Sequence, residues 1–81
     1  MPLPVMTATP QSSNVDSWGY DQTAAVLYVK FKSGSVYAYE GVPMTVANEM
    51  STAPSVGIYL RTVIQRAYRG RELSEREASA A

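Results

Sequence analysis

Tyr37 and Tyr39 stand one residue apart just after the dipeptide Ser33-Gly34, and Tyr28 and Lys30 stand at the same spacing just before it. Aromatic rings beside a cation on one face of a hairpin can stack bases and hold a phosphate. Further along, Arg61, Gln65 and Arg69 recur at intervals of four, with Arg66 beside them and Arg71 just beyond. On a helix that spacing makes one line. Guanidinium groups suit phosphate because each presents paired N–H donors. The same line also reads as a solvated helix face with favourable charges near its C-terminal end. Arg61, Arg66, Arg69, Arg71, Lys30 and Tyr28 form the candidate nucleic-acid-binding set.

Nothing comparable supports catalysis. The 81-residue chain has no histidine and no cysteine. That removes His-based triads, His and thiolate metal ligands, and the usual general base near neutral pH. The carboxylates Asp16, Asp21, Glu40 and Glu49 show no metal-loop spacing. Ser33-Gly34-Ser35 and the isolated glycines make no phosphate loop. We expect no enzyme, no metal and no cofactor. The seven basic and seven acidic residues cancel. A neutral total argues against strong indiscriminate nucleic-acid binding and leaves room for a local basic patch. The lack of cysteine fits a reducing, cytoplasmic setting. No run approaches the ~20 apolar residues of a membrane span, so no membrane partner is expected.

The elements that must carry these side chains can be read from the hydrophobic pattern. Residues 14–20 (NVDSWGY) and 24–31 (AAVLYVKF) read as strands, and residues 35–40 (SVYAYE) return after the turn. Leu27, Val29 and Phe31 alternate with Tyr28 and Lys30, as a sheet with one buried face requires. Pro43 suits a helix start. Val46, Ala47, Met50 and Ala53 recur at helical spacing, and Pro54 ends that helix. Ser55 can cap a second helix. Its apolar face runs through Tyr59, Leu60, Val63, Ile64, Ala67 and Tyr68, and Gly70 is suited to close it. The expected fold is α+β, a three-stranded antiparallel meander followed by two helices on one face (β-β-β-α-α). Residues 12–70 form the expected domain. Residues 1–11 read as a flexible arm and 71–81 as a polar, frayed tail, although Ser74 and Glu77 have capping-box spacing.

The hairpin register decides what the tyrosines do. A two-residue loop, Ser33-Gly34, pairs Tyr28 with Tyr39 and Lys30 with Tyr37, and all four project away from the core. A three-residue loop, Lys32-Ser33-Gly34, pairs Val29 with Tyr37 and Leu27 with Tyr39, and the tyrosines join the core. One residue of slip reverses the functional reading. The three-residue loop is favoured, because its third position needs the left-handed conformation that Gly34 adopts readily. The chain also has a single Phe and a single Trp. Two tyrosines would supply the missing apolar area.

The segments SSNVDSWGYD, LYVKFKSGSVYAYEGVP and APSVGIYL, in that order, resemble the KTSC domain family. The resemblance covers residues 12–68 and rests on Tyr37-Ala38-Tyr39 after Ser33-Gly34, with Gly57 and Tyr59 in the third segment. Trp18 stands where a smaller residue is usual, and Arg61 where a polar neutral one is. The resemblance implies a small bacterial or phage domain, found alone or at the C-terminus of some lysyl-tRNA synthetases. It also implies structural roles for Ser33, Gly34, Tyr37, Tyr39, Gly57 and Tyr59. RNA binding is suggested by the synthetase attachment alone.

Two functions follow as expectations. The first is a small non-catalytic module that binds nucleic acid, RNA foremost. The alternative is a protein-interaction module or phage-type inhibitor that docks on a host protein, favoured by the neutral charge and by Ile58, which falls among the arginines on a helical wheel. A third, weaker option is a small-nucleotide pocket between sheet and helices. The oligomeric state stays open, since an exposed strand edge can support a dimer.

Overall fold

The most regular alternation in the chain becomes the centre of the sheet. The computed structural model describes residues 6–8, 14–74 and 76. Strand β3 (Val26–Phe31) lies between β2 (Val15–Asp21) and β4 (Val36–Glu40), antiparallel to both. Two short strands complete the sheet, in the order β1-β2-β3-β4-β5. β1 (Thr7–Ala8) sits opposite Trp18 and Ser17, and β5 (Gly70–Glu72) sits opposite Tyr39, Ala38 and Tyr37. The sheet therefore has five strands where the pattern predicts three. The outer edges of β2 and β4 carry backbone groups that need partners, and short extended segments supply them. Strands of two and three residues are too short to show periodicity. Thr7–Ala8 of the expected arm and Arg71–Glu72 of the expected tail are thus strand residues, and Leu73 is buried, so the tail is not frayed at its start; Glu77 lies outside the described residues.

The hairpin takes the three-residue loop. The Phe31 N–H donates to the Ser35 carbonyl at 2.8 Å, and the Gly34 N–H donates to the Phe31 carbonyl at 2.9 Å. Leu27 pairs with Tyr39 and Val29 with Tyr37. Gly34 has a φ of +100°, a conformation that a side chain would strain. At the start of β2, beside the hairpin tip, the pairing shifts between Val15 and Ser17, so Asp16 forms a bulge. The bulge brings Val15 onto the same core face as Trp18 and Tyr20.

Pro43 precedes α1 (Met44–Thr52), and its carbonyl accepts from Val46 and Ala47. Ala53 is extended, as the residue before a proline tends to be, and the helix stops there. Ser55 caps α2 (Val56–Tyr59), its Oγ accepting from the Ile58 N–H at 3.3 Å. A π-helical turn, Leu60–Ile64, then interrupts the rod before α3 (Gln65–Ala67). The Gln65 N–H reaches five residues back to the Leu60 carbonyl. The Thr62 hydroxyl donates to the Ile58 carbonyl at 2.7 Å, a contact that disturbs the helical ladder locally. Tyr68 is already extended. Gly70 is thus a strand residue and not the expected helix cap.

The two faces of the sheet differ. On one, Val15, Trp18, Leu27, Val29 and Tyr39 pack against Val42, Met50, Leu60 and Ile64. On the other, Val26, Val36, Ala38 and Leu73 form a smaller cluster with Tyr28 against it. The Tyr20 hydroxyl donates to the Val42 carbonyl at 2.6 Å and ties β2 to the entry of α1. The Tyr59 hydroxyl reaches Glu49 Oε2 at 3.2 Å and joins the helices. Of the expected second-helix face, Leu60 and Ile64 are buried, Tyr59, Val63 and Tyr68 are half-buried, and Ala67 is exposed. That face is narrower than 3.6-residue spacing predicts, because the π turn changes the angular step within it.

Candidate nucleic-acid interface

An open cleft of about 580 Å³ lies where the tip of the β3–β4 hairpin meets the second helical rod. Phe31, Tyr37 and Tyr39 supply its aromatic wall, and Asn14, Lys32, Ser33, Ser35 and Gln65 supply polar groups. The three-residue loop creates this arrangement. It turns Tyr37 and Tyr39 to the helix face, and it sets Lys32 and Ser33 at the mouth.

The rings play different parts. Tyr39 is 3 % exposed, so it offers the cleft only a margin of its ring. Phe31 and Tyr37 are half-buried and meet edge to face, with centroids 5.6 Å apart and planes at 87°. Tyr37 and Tyr39 lie more nearly parallel, at 6.5 Å and 24°. Aromatic pairs favour both geometries, which hold the wall rigid. Gln65 Nε2 donates to the Tyr39 hydroxyl at 3.3 Å and bridges helix to sheet. Burial pushes the Tyr39 phenol above its ordinary pKa of 10.0; the Gln65 hydrogen bond opposes that shift and Tyr37 adds to it. Burial likewise raises Tyr59, with further contributions from Glu49 and Tyr68. Both phenols stay neutral at physiological pH and act as hydrogen-bonding groups.

The candidate residues do not form one surface. Arg61 lies in the π turn and Arg66 in α3, both exposed on the helical layer. Arg69 is exposed but falls after the helix, so Arg61, Gln65 and Arg69 do not make the line that ideal spacing predicts. Gly19, Tyr28, Ala38 and Arg71 are neighbours across the strands. Laterally paired residues share a face and residues alternate along a strand. Tyr28, Lys30 and Arg71 therefore belong to the face opposite the helices.

Of the family-pattern residues, Ser33, Tyr37 and Tyr39 line the cleft. Gly34 shapes the turn, Gly57 is half-buried in α2, and Tyr59 joins α2 to α1. Gln65, Phe31, Asn14 and Ser35 enter the cleft without having stood out as binding candidates. Lys32 stands there rather than Lys30. Only the hairpin register could have located Lys32 and Phe31, and only the π turn could have located Gln65. Among the described residues no three His, Cys, Asp or Glu side chains gather as a metal would require. No helix among them is long and apolar enough to cross a membrane.

The comparisons with known proteins agree with this architecture. A lysine–tRNA ligase of Trichormus variabilis is 38 % identical over 65 residues, 80 % of this chain and 12 % of the ligase. The chain thus spans a small part of the ligases that it matches. An uncharacterized protein of Stutzerimonas stutzeri is 40 % identical over 55 residues, 68 % of this chain and 78 % of that protein. The crystal structure of a KTSC domain protein from Yersinia pestis superposes with a TM-score of 0.76 at 30 % identity, covering 86 % of this chain and all of that one. The KTSC domain model matches residues 11–68, and the chain belongs to the KTSC domain family.

Proposed function

We propose that this domain is a non-catalytic module that binds single-stranded RNA, with an unstacked base seated in the hairpin cleft. The observation that carries this reading is the cleft itself, where half-buried aromatic rings stand beside Lys32 and the Gln65 amide. Single-strand recognition combines an aromatic wall for the base with cations for the backbone. Lys32 at the mouth and Arg61 and Arg66 on the adjoining helical rod supply the cations. The similarity to ligases that by name act on a tRNA supports RNA as the ligand. Tyr28, Lys30 and Arg71, on the far face, lie outside this site.

Fluorescence anisotropy with labelled single-stranded RNA, duplex RNA and tRNA tests the proposal. Single strands should bind, duplex of equal length should bind less well, and affinity should fall steeply with salt. Absence of binding at low salt sinks the idea. A protein-docking module is the second reading, because Ile58 and Met44 are 54 % and 52 % exposed. It predicts a partner retained from nuclease-treated lysate and lost on Ile58→Asp, with no measurable RNA affinity.

A further inference from the structure

Gln65 holds a place that regular helix geometry would not give it. Its N–H bonds five residues back to Leu60, at the end of a five-residue π turn. One residue more or less in a helix rotates everything beyond it by about 100°. The π turn therefore sets the angle at which Gln65 meets the hairpin. The side chain is then fixed from the sheet, since Nε2 donates to the Tyr39 hydroxyl at 3.3 Å. Tyr39 is itself held by the core, being 3 % exposed.

A primary amide has two N–H donors and a carbonyl that accepts. The bond to Tyr39 uses one donor. What remains is one N–H and Oε1, a donor and an acceptor on the lining of the cleft. Adenine and cytosine present an amino donor next to a ring-nitrogen acceptor. Guanine and uracil present a keto acceptor next to a ring N–H donor. The two classes run in opposite order along the base edge, except that the uracil N3–H stands between two carbonyls and offers both orders. A base whose plane is set by Phe31 and Tyr37, and whose backbone is drawn to Lys32, can match the amide in one order only.

We infer that Gln65 is the specificity-determining residue of the cleft and sorts adenine and cytosine from guanine in single-stranded RNA. The inference rests on the RNA-binding reading above. Asn14 is an amide too, but it precedes β2, and its backbone carbonyl accepts from the Lys32 N–H at 2.8 Å.

The test measures affinity for four RNA homopolymers of equal length at fixed salt, for the natural chain, Gln65→Met and Tyr39→Phe. Methionine keeps the length of the side chain and removes the amide. Gln65 is exposed, so the fold should survive, and circular dichroism checks that. Expected is a split of about fivefold or more between the adenine–cytosine pair and guanine, the scale of one good two-point contact. Gln65→Met should collapse that split. Tyr39→Phe, which frees the amide to rotate, should narrow it. A natural chain that binds all four equally, or a Gln65→Met variant that keeps the split, overturns the inference and leaves the RNA reading intact. A natural chain that binds no homopolymer overturns both.

Discussion

The ring of Tyr39 lies against the backbone of Gly70. A Cβ placed on Gly70 would sit 2.5 Å from Tyr39 Cε1 and 3.0 Å from Cζ. The two residues pair directly across β4 and β5. A glycine is required here because a buried tyrosine on the neighbouring strand occupies the space of its side chain. The same contact keeps the Tyr39 hydroxyl oriented toward Gln65.

Gly70→Ala should destabilise the domain. The ring cannot swing away freely, because Tyr39 is 3 % exposed and packed among Leu27, Leu60 and Ile64. Forcing one methyl into such a contact typically costs about 1–3 kcal/mol. Urea unfolding would read this as a lower midpoint at unchanged slope. Adding Tyr39→Leu to Gly70→Ala should cost less than the two single changes summed, which a double-mutant cycle detects.

Tyr20→Phe should also lower stability, by a different route. The Tyr20 hydroxyl donates to the Val42 carbonyl at 2.6 Å, across 22 residues of chain. Phenylalanine keeps the ring packing and leaves that carbonyl without its donor. The loss should be about 1 kcal/mol. In a domain of this size that lowers Tm by about 4–8 °C. An unchanged melting curve would mean that water replaces the hydroxyl at no cost.

Ala25 carries a φ of +56° in the turn between β2 and β3. Its conformation is held by Asp21, whose Oδ1 accepts from Thr23 and Ala24, and by the Val42 N–H, which donates to the Ala25 carbonyl at 3.0 Å. A left-handed alanine costs about 1–2 kcal/mol. Glycine removes that strain but adds about 0.5–1 kcal/mol of unfolded-chain entropy. Ala25→Gly should therefore stabilise the domain slightly, by less than about 1 kcal/mol. A lower Tm in the variant would contradict this.

Stability should fall at alkaline pH. Burial raises the folded-state pKa of Tyr39 and of Tyr59 above the ordinary 10.0. A raised phenol pKa means that the folded state holds its proton more tightly than the unfolded chain. The associated stability is complete below the unfolded pKa and is lost as pH rises through the folded one. Urea midpoints should be flat toward pH 10 from below and decline above it. Tyr39→Phe should flatten part of that decline.

How much of this was legible depends on the length scale of each signal. The core of the meander was readable because Leu27, Val29 and Phe31 alternate over a whole strand. The turn was readable because Gly34 occupies a position that needs it. β1 and β5 were not, because an edge strand of two or three residues has no period and is defined by the partner it covers. The second helix was half legible. Ser55 announces its start, but the π turn depends on local competition for carbonyls that spacing rules do not contain. The error propagated directly into the site. Ideal periodicity put Arg61, Gln65 and Arg69 in one line, whereas the fold sends Gln65 to the cleft and Arg69 out of the helix.

The division of the cations between two faces gives the last prediction. If RNA lies along the cleft and the helical rod, Lys32, Arg61 and Arg66 release counterions on binding and Lys30 does not. For single strands each phosphate contact contributes about 0.7 to the slope of log affinity against log salt. Replacing Lys32, Arg61 and Arg66 together by alanine should reduce the magnitude of that slope by about 2, and the loss of affinity should be greatest at low salt. Lys30→Ala removes the same unit of charge from the opposite face. It should leave the slope unchanged, because a cation beyond the sheet does not touch the bound strand. Equal effects of Lys30→Ala and Lys32→Ala would mean that only net charge matters and that the cleft is not where RNA binds.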